Sequence, residues 1–208
     1  MRVGILGGTF DPIHQGHLLS AERAREGAEL DEVWFIPTNI PPHKEQGSEA
    51  SAEHRLAMIR LAIENNPAFQ VVDDEVTRGG ISYSIDTVLR LQERHPHTQL
   101  HYIVGADMVM YLPKWHRIEK IIQCTSFIGL QRPGFTLLLD ELPIFLQQKV
   151  KLVSMPQVDI SSTAIRETCK RRESIRYLVD DKVRKYIEVN QLYEPCSHDG
   201  ISPRADAG

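Results

Sequence analysis

GGTFDPIHQGH, Gly7 to His17, is the stretch that decides how this chain folds. Before it stands Arg2-Val3-Gly4-Ile5-Leu6, an apolar run of strand length. After it, Leu18 to Glu26 is rich in helix formers and meets Gly27, a stop signal. The stretch therefore reads as a strand-to-helix turn, with the helix beginning near Ile13. The first turn of a helix carries N–H groups without internal partners, and with the helix dipole they favour an anion, phosphate above all. Gly7 and Gly8 let a ligand approach the backbone, although glycines alone fit equally a turn that binds nothing. His14 and His17, three residues apart, share a face of that first turn. Positive charge is disfavoured there, so the pair suits hydrogen bonding to a phosphate chain, whose charge in turn favours protonated imidazoles. A zinc pair is the competing reading. With no HExxH and no Cys or carboxylate at ligand spacing, no metal residue is assigned.

The chain has 208 residues, enough for one domain with a full core, and its 41% hydrophobic and 25% charged residues are those of an ordinary soluble globule. Cys124, Cys169 and Cys196 are scattered and odd in number, which suits reduced thiols in the cytoplasm. No 18-residue apolar run or signal peptide is read, so no membrane contact is expected. A formal net charge of −4 argues against a nucleic-acid surface. Any phosphate site must be locally positive. The run Lys170-Arg171-Arg172 reads as a solvated helix end.

Strand and helix patterns then alternate. Strands are expected at Glu32–Pro37, Phe69–Val72, Gln99–Val104, Ser126–Leu130 and, as a sixth, Lys151–Met155. A helix begins near Ser51 with Leu56, Ile59 and Ile63 on one face. Another is capped by Ser84, with Ile85, Val88 and Leu89 toward the core, and further helices lie near 162–172 and 179–190. The expectation is an α/β protein: a Rossmann-like, doubly wound parallel sheet of five to six strands, helices on both faces and a C-terminal helical segment. One domain covers 1–195, and 196–208 is a loose polar tail.

In such a fold, ligands bind outside the carboxyl ends of the strands. Six chemically rich loops fall there, among them Pro41-Pro42-His43-Lys44, Gly79 to Ser84, Gly105-Ala106-Asp107 and Arg132-Pro133-Gly134. The sixth, Ile160-Ser161-Ser162-Thr163-Ala164-Ile165-Arg166, would open a helix with Ser162, Thr163 and Arg166 on one face. Hydroxyls, amides and a guanidinium could then converge on a polyphosphate, where the plainer alternative is a Ser/Thr cap with a surface Arg.

GGTFDPIHQGH together with ISSTAIR resembles the nucleotidyltransferase superfamily of Rossmann-like adenylyl- and cytidylyltransferases. IPTNIPPHK (36–44), GGISYSIDT (79–87), YIVGADMVMYLPKW (102–115), RPG (132–134) and the closing segment 173–194 resemble its nicotinate-nucleotide adenylyltransferase branch, in bacterial NAD synthesis. The resemblance implies transfer of AMP from ATP to nicotinate mononucleotide, giving deamido-NAD and pyrophosphate. It implies that His14, His17 and Arg166 are catalytic and that Gly7, Gly8, Thr9 and Phe10 approach the ATP phosphates. Ser162 and Thr163 take the outer phosphates, Gly105 and Asp107 lie by the riboses, Ile160 and Ser161 approach adenine, and Arg132 joins the ATP site. Mg²⁺ rides on the ATP phosphates. For the acceptor, Lys44 balances its phosphate and the Tyr83-Ser84 helix start meets its carboxylate. Trp115 stacks on the pyridine ring, unless it is a partly buried core Trp, and His116 walls the pocket. Relatives commonly have Thr at the position of Ser84 and Tyr at that of His116, which leaves the preference for acid over amide open. A homodimer also stays open. The rivals are an adenylyltransferase for phosphopantetheine or nicotinamide mononucleotide, and a noncatalytic nucleotide sensor.

Overall fold

The computed structural model describes residues 1–40, 47–134 and 139–194. Lys44 and the tail after Glu194, with Cys196, lie outside them. Six strands form one parallel sheet: β1 (Arg2–Gly8), β2 (Glu32–Pro37), β3 (Phe69–Val71), β4 (Gln99–Gly105), β5 (Thr125–Gln131) and β6 (Val150–Ser154), in the order β3-β2-β1-β4-β5-β6. The chain winds outward from β1 to β3, then crosses back to pair β4 against the other edge of β1. That reversal opens a crevice at the carboxyl ends of β1 and β4.

Alternating side chains feed two cores, as expected for a sheet covered on both faces. Val3, Ile5, Trp34, Ile36, Tyr102 and Phe127 face α4 (Ser84–Arg94) and α6 (Ile118–Cys124). Leu6, Val33, Phe35, Ile103, Ile128 and Val153 face α1 (Gln15–Gly27), α2 (Ala52–Ile63), α8 (Ser162–Lys170) and α9 (Asp181–Val189). Short helices α3 (Asp74–Arg78), α5 (Ala106–Val109) and α7 (Ile144–Gln147) complete the set and had no clear sequence signal. At one turn or little more, each lacks the length for a periodic pattern.

Three local expectations need correction. Helix α1 starts at Gln15, with His14 as its N-cap, rather than near Ile13. Gly27 ends α1 as the sequence expects, and the left-handed conformation follows at Glu29, φ 53°. A Cβ on Gly27 would stand 2.4 Å from Val153 Cγ1, so this glycine lets α1 press against β6. Ser84 is the first helical residue and Tyr83 the N-cap, with no side chain capping the turn. Leu89 is exposed, because the buried row of α4 runs Ile85, Val88, Leu91.

Candidate active site

A cavity of about 620 Å³ opens where the strand order reverses. Its walls hold Gly7, Gly8, Thr9 and His17 from the first turn, Gly105 from β4 and Arg132 after β5. Tyr83, Ser84, Trp115 and His116 share it. The structure thus joins in one space both ends of the substrate pair inferred from sequence. Sequence reading did not single out Thr38, Glu75, Ser82, Tyr102, Met108 and Lys114, which also line it.

The first turn is held in shape from outside. Its carbonyls point away toward remote side chains: Arg55 Nη1 donates to Thr9 O at 2.8 Å, Arg166 Nη1 to Asp11 O at 2.9 Å and Ser162 Oγ to Pro12 O at 2.9 Å. The Asp11 carboxylate is buried and accepts from the N–H groups of Glu49 (2.7 Å) and Ala50 (3.1 Å) and from Tyr193 Oη (2.7 Å). Burial beside Asp11 pushes the Tyr193 hydroxyl far up, so it stays a donor. Asp11, Arg55 and Tyr193 had no motif to announce them, since their partners lie up to 182 residues away. Phe10, at φ 51°, turns its ring into the core against His17 and Phe35. Its backbone is what remains to face a nucleotide.

The two histidines stack with ring centroids 3.7 Å apart. His14 N–H donates to His17 Nδ1 at 3.3 Å, so neutral His17 carries its proton on Nε2. Burial lowers His14 to about 4, and burial with the neighbouring His14 lowers His17 well below its ordinary value. In the ligand-free chain both are neutral at pH 7, whereas the sequence suggested imidazoles ready to be charged. A neutral Nε2–H is still a hydrogen-bond donor.

Helix α8 stands against this turn, and neither it nor His14, Asp107 or Ile160 is among the residues that line the cavity. Ser161 Oγ caps α8 by accepting from Ala164 N at 3.2 Å. The Ser162 hydroxyl spends its proton on Pro12, leaving that residue's backbone N–H as its donor. Arg166 is tied through Nε to Glu49 at 2.8 Å as well as to Asp11 O, so only part of its fork is free. Thr163 is exposed. Ser162 and Arg166 thus also clamp the first turn, with α8 presenting its capped N-terminus beside it.

Asp107 is exposed and folds back over Gly105, where a Cβ would come within 2.5 Å of Oδ1; the glycine makes room for that carboxylate. At the other end of the cavity, the Tyr83 and His116 rings lie 5.1 Å apart and Ser84 Oγ donates to Tyr102 Oη at 3.4 Å. Trp115 packs edge-on against Tyr102 (5.3 Å) and Phe127 (5.7 Å) while also lining the cavity. The two readings of this residue meet: one edge of the ring is core and the rest is wall. Among the described residues, no three His, Cys, Asp or Glu stand together as a metal cage.

A cytidylyltransferase-like family model matches residues 5–168. A nicotinate-nucleotide adenylyltransferase of Bacillus subtilis (strain 168) is 46% identical over 193 residues, covering 93% of this chain and 98% of that protein. The chain belongs to the nicotinate-nucleotide adenylyltransferase family. It is a nucleotidyltransferase, as its motifs imply. Among solved structures, a Plasmodium falciparum nicotinic acid mononucleotide adenylyltransferase complexed with NaAD superposes with a TM-score of 0.75 at 21% identity, covering 92% of this chain and 97% of that one. A second structure of that protein, complexed with APC, gives 0.74. At that identity the likeness speaks to the family's Rossmann-like fold. No helix among the described residues is long and apolar enough to cross a membrane.

Proposed function

We infer that the chain transfers AMP from ATP to nicotinate mononucleotide, forming deamido-NAD and pyrophosphate in NAD biosynthesis. The observation that carries this reading is the single cavity that joins the Gly7–His17 turn to the Tyr83, Ser84, Trp115 and His116 wall. A phosphate oxygen of the acceptor attacks the α-phosphorus of ATP in line. The bond to the bridging oxygen breaks, and its electrons leave with pyrophosphate. The acceptor's phosphate oxygen is an adequate nucleophile, so no enzyme-bound intermediate is needed; the protein aligns two polyanions and stabilises the charge that shifts between them.

The Gly8-Thr9 backbone and His17 Nε2–H suit the phosphates, with His14 stacked behind His17 to hold its ring. The start of α8 and the free part of Arg166 suit the outer phosphates as pyrophosphate departs. Gly105 and Asp107 stand by the riboses, the Ile160-Ser161 backbone by adenine, and Arg132 and Lys44 add positive charge. The uncapped first turn of α4 offers N–H groups to the nicotinate carboxylate, and Trp115 offers its face to the pyridine ring. Mg²⁺ arriving on ATP would neutralise part of the phosphate charge.

The test is direct. Protein with ATP and Mg²⁺ is offered nicotinate mononucleotide, nicotinamide mononucleotide or phosphopantetheine separately, and pyrophosphate is measured. Release with the first and little with the others is expected. Equal release with phosphopantetheine, or ATP binding without turnover, would overturn the reading.

A further inference from the structure

Behind the acceptor end of the cavity stands a carboxyl group that the reaction does not require. Glu75 lines the cavity yet is only 2% exposed. Its Oε1 accepts from the Thr87 hydroxyl, within the first turns of α4, while its Oε2 is buried without a hydrogen-bond partner. A buried carboxylate with a bare oxygen is costly, and protonation removes that cost. Burial is the main influence that raises Glu75, aided by the charge of Asp74 and opposed by the hydroxyls of Thr87 and Ser82 and by the Arg78 guanidinium. Of the cations nearby, Arg90 and Arg94 hold Asp74, while Arg78 reaches Asp86 at 3.4 Å through Nη1 and keeps Nε and Nη2 buried without a hydrogen-bond partner. From β4, Tyr102 faces the same spot, its hydroxyl pushed up to about 12 by burial and by Glu75. His17, Lys114, His116 and Arg132 line the same cavity.

The start of α4 has one positive end and no side-chain cap. Two negative charges brought to it in a dry cavity would repel strongly. Resting on the assignment of the nicotinate carboxylate to this helix start, we propose that Glu75 sets the preference for a carboxylate over a carboxamide acceptor. When neutral, Glu75 cedes the positive end of α4 to the ligand; when ionised, it competes with the ligand for that end and favours the uncharged amide. Glu75 is thus a positioning residue for charge rather than a participant in phosphoryl transfer.

The experiment measures kcat/KM for nicotinate and nicotinamide mononucleotide from about pH 4.5, the ordinary carboxyl range, up to about pH 9 and follows their ratio. Ionisations of ATP, of the shared phosphate and of the histidines act on both acceptors and cancel in that ratio. In the wild type the ratio should fall by at least about tenfold as pH rises through the raised Glu75 ionisation. In Glu75→Gln, a neutral isostere, it should stay flat and near the wild-type value at low pH. Should that variant fold poorly, Thr87→Val carries the test: losing a hydroxyl that favours the ionised form should move the fall to higher pH. A wild-type ratio that does not change with pH, or an unchanged profile in either variant, overturns the proposal. Strong acid preference at every pH would overturn only this role for Glu75. Preference for the amide throughout would overturn the acceptor assignment as well.

Discussion

The two ends of the cavity are built in opposite ways. At the phosphate end, the turn from Gly7 to His17 is fastened at Thr9, Asp11 and Pro12 by side chains from α2, α8 and the segment near Tyr193. At the acceptor end, α4 starts without a side-chain cap, Glu75 keeps an unpartnered oxygen, and Tyr83, Trp115 and His116 meet through rings. The first end is set in advance, as stabilisation of developing charge requires, because donors that must reorganise during reaction contribute less. The second holds unsatisfied groups that a ligand completes, which is how a site rejects a near-isostere lacking the right polar group. Rate should therefore depend on the first end, and choice of acceptor on the second.

The hardest test of that division is His17→Ala. Loss of a preorganised donor to the phosphates should lower kcat by ~100-fold to ~1000-fold, about 2.7–4 kcal/mol, while acceptor KM changes little. Near-normal kcat would break the comparison at its strongest point. Acid stability probes the same end without substrate. His14 titrates near 6.5 when unfolded but at about 4 when folded, so the unfolded chain binds more protons between those values. Stability is then full above 6.5 and falls by about 3 kcal/mol as pH drops toward 4. Urea denaturation across that window should show the decline, and His14→Asn should shrink it, the lowered His17 supplying the remainder.

Arg166→Lys comes next. A point charge cannot hold Asp11 O and Glu49 together while also reaching a phosphate, so kcat/KM for ATP should fall by about 2 kcal/mol with acceptor affinity nearly unchanged. A matching loss for the acceptor would mean that the two ends are coupled through the turn. The smallest effect belongs to Trp115→Ala. Loss of the ring face should weaken both mononucleotides by about 1 kcal/mol and leave their ratio alone. If selectivity collapses, recognition lies with Trp115 and not with the start of α4.

Much of this was legible in one dimension because local rules sufficed. The hydrophobic runs gave β2 at Glu32–Pro37 to the residue and the other strands to within a residue or two, and their alternation with helices gave the parallel sheet. Once that sheet is granted, the strand-end loops must gather on one edge, so His17, Ser84, Trp115 and Arg132 were within reach of sequence. Leu89 was misplaced because a four-residue and a three-residue step look equally apolar until a neighbouring surface chooses between them.

What the sequence determined by itself was the order of strands and helices, the chemistry carried by each loop and the resemblance those loops bear. Tertiary structure alone decided how much of that chemistry is free to act. Arg166 and Ser162 looked like open donors until α8 docked on the turn and spent part of them on Asp11 and Pro12. Asp11 looked like half of a turn until Glu49, Ala50 and Tyr193 closed around it. Glu75 carried no signal in the sequence, and only the fold buries it beside the cavity. The reason is common to all three: a polar group's strength and charge depend on the partners and the water left around it, and residues far apart in the chain supply or remove both.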